Sequence, residues 1–195
     1  MAERQSKSRQ NSRRQDLLEA GIKEINENGV AHFSIRRVAN ACGVSCAAPA
    51  RHFGDRKGFL EAIIEYVNQT WRDQQLEILS QCQGDTREKI LRISVAYAQF
   101  LIERPHFRSI LMLKDKDFDN VYHRISGELS SITQVLAKQY LEETNMPPEV
   151  FKRKLYVVRS LIFGASLLVD NGEIEYDEQF LSMVRDSIDR EFDLP

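Results

Sequence analysis

The sequence predicts an all-α fold in which a compact three-helix unit near the N-terminus precedes a larger helical domain. Apolar residues recur at helical spacing through most of the 195 residues, and only nine glycines and five prolines interrupt them. No alternating stretch rich in valine or threonine indicates a strand. We therefore expect helices joined by short turns throughout.

The N-terminal unit is expected to contain three short helices. The first, over residues 13–28, places Leu17 and Leu18 on one apolar face and ends at Asn28-Gly29. The second begins at Ser34, a residue type that caps helix N-termini, and ends at Gly43. The third is capped by Ser45 and extends to about residue 52. We expect these helices to pack as one unit of about 50 residues.

The remaining chain is predicted to form the longer helices of a second domain. Pro105 and the Pro147-Pro148 pair mark breaks between them. The helix over residues 149–170 is apolar nearly all round, which indicates burial in a core or an interface. The predicted helices cover residues 56–83, 86–103, 106–113, 119–143, 149–170 and 177–193.

Composition and charge are those of an ordinary globular protein with an uneven charge distribution. Hydrophobic residues make up 42% and charged residues 29%, and no apolar run is long enough for a membrane span. The basic N-terminus lacks a following apolar stretch, so we expect a cytoplasmic protein without a membrane partner. Residues 1–60 hold eleven Lys and Arg against six Asp and Glu, whereas the rest holds 16 against 23. This asymmetry indicates either a polyanion-binding surface or a solvated tail.

The three cysteines favour neither a disulfide framework nor a metal site. Cys42 and Cys46 lie four residues apart with no further Cys or His at zinc-ligand spacing, and Cys82 is distant. The pair serves either as small packing residues or as a redox sensor. We expect no metal and no cofactor.

The stretch from Ser34 to Phe53 has the spacing of a helix-turn-helix. Such a motif needs a small residue where its helices cross, which Ala39 supplies, and a residue that tolerates left-handed geometry in its turn, which Gly43 supplies. Val44 follows as the apolar residue that seals the core. The second helix of such a motif can enter the DNA major groove.

The segment over residues 13–60 resembles the DNA-binding domain of the TetR family of regulators. The remaining helices agree with the family in number and length. The resemblance implies an all-α homodimer whose two N-terminal domains bind a palindromic operator, with a small-molecule pocket and the dimer interface in the C-terminal domain. The expected organisation is a basic flexible arm (1–12), a helix-turn-helix domain (13–55) and a ligand-binding and dimerisation domain (56–195). The matching residues are Leu17, Leu18, Ala20, Gly29, Ser34, Ile35, Arg36, Val38, Ala39, Gly43, Val44, Ser45, His52, Phe53, Arg56, Phe59 and Leu60.

Two positions of the third helix depart from the family pattern. Family members usually carry a tyrosine that touches a phosphate where Ala50 stands, and a Leu, Ile or Phe where Pro49 stands. Because proline has no N–H to bond back to the cap, we expect a tight or irregular first turn. More of the phosphate contact should then fall on Ser34, Arg51, Arg56 and the basic arm.

Double-stranded DNA is the partner that these residues predict, and their roles follow from groove chemistry. Ser34 and the start of the fourth helix at Arg56 are candidate phosphate contacts, and Arg36 could form a bidentate pair with guanine. His52 either touches a phosphate or packs against the first helix, and Arg37 and Lys57 are equally consistent with a solvated face. The predicted DNA-binding residues are Arg13, Arg14, Ser34, Ile35, Arg36, Ser45, Cys46, Ala47, Ala50, Arg51, His52 and Arg56.

The C-terminal domain offers candidates for a ligand pocket and a dimer interface. Arg159 is notable because a charge on an otherwise apolar helix needs a partner, either an anionic ligand group or a carboxylate across the dimer. Each pocket candidate is also compatible with an ordinary core position. The pocket candidates are Trp71, Phe100, Phe107, Met112, Tyr122, Ile125, Tyr156, Arg159 and Phe163. The interface candidates are Leu161, Gly164, Ala165, Leu168, Phe180, Val184 and Ile188.

These patterns predict a DNA-binding regulator, with a repressor released by a small apolar or aromatic ligand as the first hypothesis. The alternative is a DNA-binding regulator controlled by a protein partner without a small-molecule effector. An enzyme is not expected, because the sequence has no Gly-rich phosphate loop and its four histidines have no recognisable nucleophile or acid partner.

Overall fold

A computed structural model describes residues 2–111 and 130–193, with side chains from residue 12 onward. Within these ranges the regular secondary structure is entirely α-helical, which confirms the predicted fold class. The helices are α1 (Ala2–Asn28), α2 (Ile35–Ala41), α3 (Ala47–Phe53), α4 (Arg56–Gln81), α5 (Thr86–Glu103), α6 (Pro105–Leu111), α7 (Ser131–Thr144), α8 (Pro148–Asp170) and α9 (Glu178–Asp193).

Two helix boundaries differ from the prediction. α1 begins at Ala2 and includes residues 2–12, which were predicted to belong to a flexible arm. Its Ala, Glu, Arg, Gln and Lys residues are good helix formers, so the helix extends beyond its apolar face. α7 begins after Ser130, whose hydroxyl accepts a hydrogen bond from Thr133 N at 3.2 Å, rather than near residue 119. A serine in extended geometry that caps the next turn starts a new helix.

The chain forms two compact units, and neither is one continuous stretch. The described parts of residues 1–70 and 106–126 form the first unit, and those of residues 71–105 and 127–195 form the second. The first unit therefore extends beyond the predicted boundary at residue 55. Its extension is explained by the first part of α4, which carries the fully buried Phe59, Ile63 and Val67.

Phe59 lies at the centre of the first unit. Its ring stacks on Phe53 at the end of α3, with centroids 4.1 Å apart, and meets Phe33 edge to face at 5.4 Å. Gly21 lets α1 approach this ring, because an added Cβ would lie 3.3 Å from Phe59 and 2.8 Å from Ile63 Cδ1. The aromatic cluster thus joins α1, α3, α4 and the segment between α1 and α2.

In the second unit, α5 packs against α7, α8 and α9. The buried Phe100 and Leu101 of α5 form part of its core, together with Ile162 of α8 and Ile188 of α9. At the edge of the α5–α9 contact, Arg87 donates to Asp189 at 2.8 Å and pairs with Asp193 at 2.7 Å. Because these ion pairs are partly exposed, they contribute little to the free energy of folding and mainly fix the orientation of α9 relative to α5.

None of the helices described is long and apolar enough to cross a membrane.

We predict that Gly58→Ala destabilises the protein although alanine is the better helix former. An added Cβ at Gly58 would overlap the carbonyl oxygen of Phe53, a backbone atom that cannot move without displacing the end of α3. We expect a loss of about 1–3 kcal/mol in the free energy of unfolding, measured by urea denaturation. Ser80→Ala is the control, because Ser80 is exposed on the same helix and the change should be neutral or slightly stabilising. An equal gain in stability from both changes would contradict the prediction.

Candidate nucleic-acid interface and effector site

The helix-turn-helix forms as its sequence predicts. The Ser34 hydroxyl accepts a hydrogen bond from Arg37 N at 3.3 Å and so caps α2, whose Val38 and Ala39 are buried. Gly43 adopts a φ of 63°, the left-handed conformation that glycine tolerates. Val44 N then donates to Ala39 O at 3.0 Å, which closes the turn. The chain is thereby directed from α2 into α3.

The outward face of α3 carries mostly small side chains. Cys46, Ala47, Ala50 and Arg51 are exposed along one side of the helix, whereas Pro49 is buried on the opposite side. Pro49 is the third residue of α3, where a backbone N–H has no partner within the helix, so its missing N–H removes no helical bond. The face can therefore approach a groove closely, with Arg51 as its long donor.

The start of α3 differs in one respect from the prediction. Cys46 rather than Ser45 occupies the cap position, and no side-chain hydrogen bond is formed there. The Ser45 carbonyl accepts from Ala48 N at 2.9 Å, a bond that spans three residues. This bond agrees with the tight first turn expected next to Pro49.

Some of the groups predicted to bind phosphates are already used in contacts within the protein. Arg13 and Arg14 are exposed, and the Arg14 guanidinium lies 5.3 Å from the centre of the Phe53 ring. Arg56 Nη2, by contrast, donates a hydrogen bond to Val30 O in the turn after α1. This donor of the guanidinium is therefore already used within the protein. The carboxylate of Asp55 accepts from Gly58 N at 2.8 Å and so occupies the N-terminus of α4. The expected phosphate site at the start of α4 is therefore not supported.

Two further candidates are partly buried. Ile35 is half-buried and packs against the core cluster of the first unit, so its assignment to the DNA surface stays a prediction. The position is explained by the apolar face of α2, because Ile35 and Val38 are three residues apart on that face. The half-buried His52 ring lies 5.9 Å from the Phe53 ring, so the phosphate role of His52 stays a prediction. Arg36 is exposed on α2.

An ion pair between a buried carboxylate and a half-exposed arginine was not anticipated. Glu24 of α1 is only 7% exposed, and its carboxylate accepts from Arg37 Nε at 2.8 Å and from Ser34 N at 3.3 Å. Arg37, for which the sequence left a DNA contact and a solvated face open, therefore has a specific partner within the chain. The available signal was the position of Glu24 beside Ile25 on the apolar side of the first helix, because a buried carboxylate requires a partner.

Comparison with known proteins agrees with this geometry. Residues 17–63 match the family described as bacterial regulatory proteins, tetR family. The first unit of the chain is thus similar to the DNA-binding segment of this family. The matched segment includes Ser34, Gly43 and the whole of α3, which are the residues that carry the resemblance seen in the sequence.

The TetR-family match extends to individual relatives and to solved structures. The regulator BetI of Yersinia pestis is 40% identical over 55 residues, which cover 28% of each chain. BetI of Escherichia coli O139:H28 is 32% identical over 85 residues, 43% of this chain and 44% of the relative, so the chain matches less than half the length of these relatives.

Two solved structures share the whole fold. A TetR-family transcription regulator from Marinobacter aquaeolei VT8 superposes with a TM-score of 0.74 at 18% identity, over 95% of this chain and 97% of that one. Mycobacterium smegmatis AmtR gives a TM-score of 0.65 at 20% identity, over 93% and 86%. The TetR-like architecture thus covers both units.

In the second unit of the chain, four aromatic residues form a cluster. Phe100 lies 5.2 Å from Trp71, and Tyr97 lies 4.8 Å from Trp71 and 6.3 Å from Phe163, all between ring centres. Burial raises the pKa of Tyr97 to about 12, whereas the charge of Arg159 acts to lower it. The phenol is therefore neutral at physiological pH. Tyr97 was missed as a candidate, although it shares a helix face with Phe100 in the sequence.

The structure does not bring every pocket candidate to this cluster. Phe107 packs in the first unit, 5.9 Å from the Tyr66 ring, because α6 contributes to that core. Tyr156 is 74% exposed on α8, so it does not line a buried pocket. Both assignments are corrected. Met112, Tyr122 and Ile125 lie outside the described residues.

Four of the proposed interface residues are core residues of their own chain. Ala165, Phe180, Val184 and Ile188 are all buried, because α8 and α9 pack their apolar stripes against α5 and each other. They are thus unavailable to a partner, which corrects their assignment. Leu161, Gly164 and Leu168 are half-buried, and a Cβ added at Gly164 would meet no atom within 4 Å.

The cysteines are free and differ in environment. Cys42 is half-buried, Cys46 is exposed and Cys82 is buried. Burial raises the pKa of the Cys42 thiol, whose sulfur lies 3.6 Å from Asp16 O. Among the residues described, no group of three His, Cys, Asp or Glu side chains could hold a metal ion.

Proposed function

We propose that the protein is a TetR-type transcriptional repressor that binds a palindromic operator as a homodimer and is released by a small, mainly apolar or aromatic ligand. The observation that carries the proposal is the helix-turn-helix itself. Ser34 caps α2, Gly43 makes the turn, and α3 presents Cys46, Ala47, Ala50 and Arg51 outward. A helix with this outward face suits close approach to base edges in the major groove.

The contacts divide into two classes in this proposal. Ser34, Arg13 and Arg14 bind phosphates and supply affinity and position. Arg36 and Arg51 are exposed and carry the long donors that can form bidentate hydrogen bonds with guanine. Ala47 and Ala50 fit against thymine methyl groups because they add little bulk between the helix and the groove.

Replacing both Arg36 and Arg51 by alanine should weaken binding to DNA from the protein's own promoter region by at least about tenfold, because each bidentate contact contributes roughly 1–3 kcal/mol. Fluorescence anisotropy at fixed moderate salt measures the dissociation constant. Lys138→Ala is the control, since it removes an exposed cation of α7 and should leave the affinity unchanged. Failure of the unaltered protein to bind any promoter fragment specifically would refute the DNA-binding proposal.

The exposed apolar side chains of α8 and α9 support self-association through these helices. Five large hydrophobic residues of the described chain are exposed, and three of them are Tyr156 (74%), Leu167 (44%) and Met183 (50%) on α8 and α9. Tyr156, Gly164 and Leu167 share one side of α8 at helical spacing. A second copy that places the same two helices against them would bury this surface in a symmetric four-helix interface.

The double change Leu167→Glu with Met183→Glu should convert a dimer into a monomer, because two charges per subunit would be buried without partners. Light scattering after size-exclusion chromatography measures the mass, which should fall from twice 22.6 kDa to that value. Leu76→Glu changes an equally exposed leucine on α4 and should leave the dimer intact. A dimer that survives the double change would exclude this face.

The aromatic cluster of the second unit supports a ligand of aromatic or apolar character. Trp71, Tyr97 and Phe163 are half-buried around the fully buried Phe100, and Arg159 is close enough for its charge to act on Tyr97. Sites for small ligands combine such apolar surface with a few polar groups. A ligand would release the operator if it binds the DNA-free form more tightly than the DNA-bound form.

Fluorescence provides a direct test because Trp71 is the only tryptophan. We expect 2-naphthoate to quench Trp71 and to dissociate the operator complex, whereas acetate should do neither. Phe163→Ala should weaken 2-naphthoate binding about tenfold through the lost aromatic contact. Val135→Ala, which changes an exposed residue of α7, is the control and should leave the affinity for 2-naphthoate unchanged. Unchanged fluorescence with 2-naphthoate at millimolar concentration would count against an aromatic effector.

A further inference from the structure

The C-terminal end of α5 places an arginine beside the aromatic cluster of the second unit. Arg104 directly follows the last residue of α5, and its backbone N donates to Phe100 O at 3.2 Å. Tyr97, Phe100 and Arg104 recur at spacings of three and four residues, so they share one side of this helix. The guanidinium carbon of Arg104 lies 4.9 Å from the centre of the Phe100 ring. Arg104 therefore borders the cluster.

One nitrogen of the Arg104 guanidinium has no hydrogen-bond acceptor among the residues that the structure describes. This nitrogen, Nη1, is buried, although the side chain as a whole is 38% exposed. Glu103 Oε2 is 3.7 Å from Nη1, which is too long for a hydrogen bond, and Glu103 Oε1 accepts from the Tyr176 hydroxyl at 2.9 Å. Because a buried donor without an acceptor costs free energy, a ligand oxygen bonded to Nη1 would be stabilising.

A second arginine adds positive charge to the same region. Arg159 and Phe163 are four residues apart and share one side of α8. The Phe163 ring centre lies 6.3 Å from that of Tyr97. Burial raises the pKa of Tyr97, and the charge of Arg159 is close enough to oppose that rise. Arg104, Arg159 and Glu103 together carry a net positive charge, which favours an anionic group on the ligand.

We propose that the effector is an aromatic carboxylic acid, whose carboxylate accepts from Arg104 Nη1 while its ring packs against Trp71 and Phe163. This inference rests on the proposed effector site and specifies its ligand class. The Arg104 guanidinium carbon and the Trp71 ring centre lie 4.9 and 5.2 Å from the same Phe100 ring centre, so they are at most about 10 Å apart. A two-ring aromatic acid can contact both. The charge-assisted hydrogen bond then selects acids over neutral aromatic molecules.

The test compares 2-naphthoate with 2-naphthamide, which keeps the two rings but replaces the carboxylate by a neutral amide. Quenching of Trp71 fluorescence in the full-length protein gives both dissociation constants without DNA. We expect Arg104→Gln to weaken the binding of 2-naphthoate about tenfold, because a charge-assisted hydrogen bond is lost, and to leave the affinity for 2-naphthamide unchanged. The amide thereby reports whether the site is still folded in the variant.

Glu103→Gln should have the opposite effect. It removes a negative charge near Nη1 and keeps an oxygen that can accept from the Tyr176 hydroxyl. We expect 2-naphthoate to bind about two- to fivefold more tightly to this variant, and 2-naphthamide to bind as before. Arg92→Gln is the matched control, because Arg92 is a partly exposed arginine of the same helix that pairs with Glu88. It should leave both affinities unchanged.

The outcomes separate the inference from the function on which it rests. If neither ligand changes Trp71 fluorescence, the proposed aromatic effector site fails, and the inference fails with it. If both ligands bind but Arg104→Gln binds 2-naphthoate as tightly as the unaltered protein, the site takes aromatic ligands and Arg104 binds no carboxylate. An equal loss of both ligands in Arg104→Gln would make Arg104 a structural residue of the cluster and would overturn the inference in the same way.

Discussion

The contact between Phe53 and Phe59 determines where α3 lies. With seven residues, α3 is too short to be stable alone, so its orientation depends on the side chains that anchor it. Phe53 stacks on Phe59 at its C-terminal end, and the buried Pro49 anchors its middle. Every outward residue of α3 takes its direction from these two anchors. The orientation of the proposed DNA-binding surface is therefore a consequence of core packing on the opposite side of the helix.

The same core draws in a segment that is distant in sequence. Asn26 of α1 donates to the carbonyl oxygen of His106 at 3.3 Å, and Ile110 of α6 is buried in the cluster around Phe59. The helix-turn-helix unit is consequently closed by residues from α4 and α6. A fragment that ends at residue 55 would lack Phe59, the central ring of its own core, so the domain boundary predicted at residue 55 falls inside the folded unit.

Local features of the chain could be predicted from its sequence, whereas pairings over longer distances could not. Ser34 as a cap and Gly43 in a left-handed turn depend on neighbouring backbone alone. The Glu24–Arg37 pair joins residues of two helices across a turn. Helical periodicity places Glu24 on the apolar side of α1, but it does not identify Arg37 as the partner. Phe180 and Ile188 illustrate a second limit, because an amphipathic stripe specifies that one face is buried but not whether its own chain or a second copy covers it.

The same limit applies to Phe107 and Tyr156, two aromatic residues that were expected beside one ligand. An aromatic side chain indicates a large buried or recognition surface in either case. Only tertiary structure separates Phe107, which belongs to the helix-turn-helix core, from the cluster around Trp71. The candidate effector site is therefore smaller than the sequence suggested and centres on α4, α5 and α8.

The exposure of Cys46 makes the outward face of α3 chemically addressable. Of the three thiols, Cys82 is buried and Cys42 is half-buried with a raised pKa, which leaves Cys46 as the accessible nucleophile. A maleimide would therefore label this position first and would place its bulk on the outward face of α3, the proposed DNA-binding surface. In the proposed complex, bound DNA would shield this sulfur from the reagent. The rate of alkylation would therefore measure the fraction of time that α3 is free of DNA.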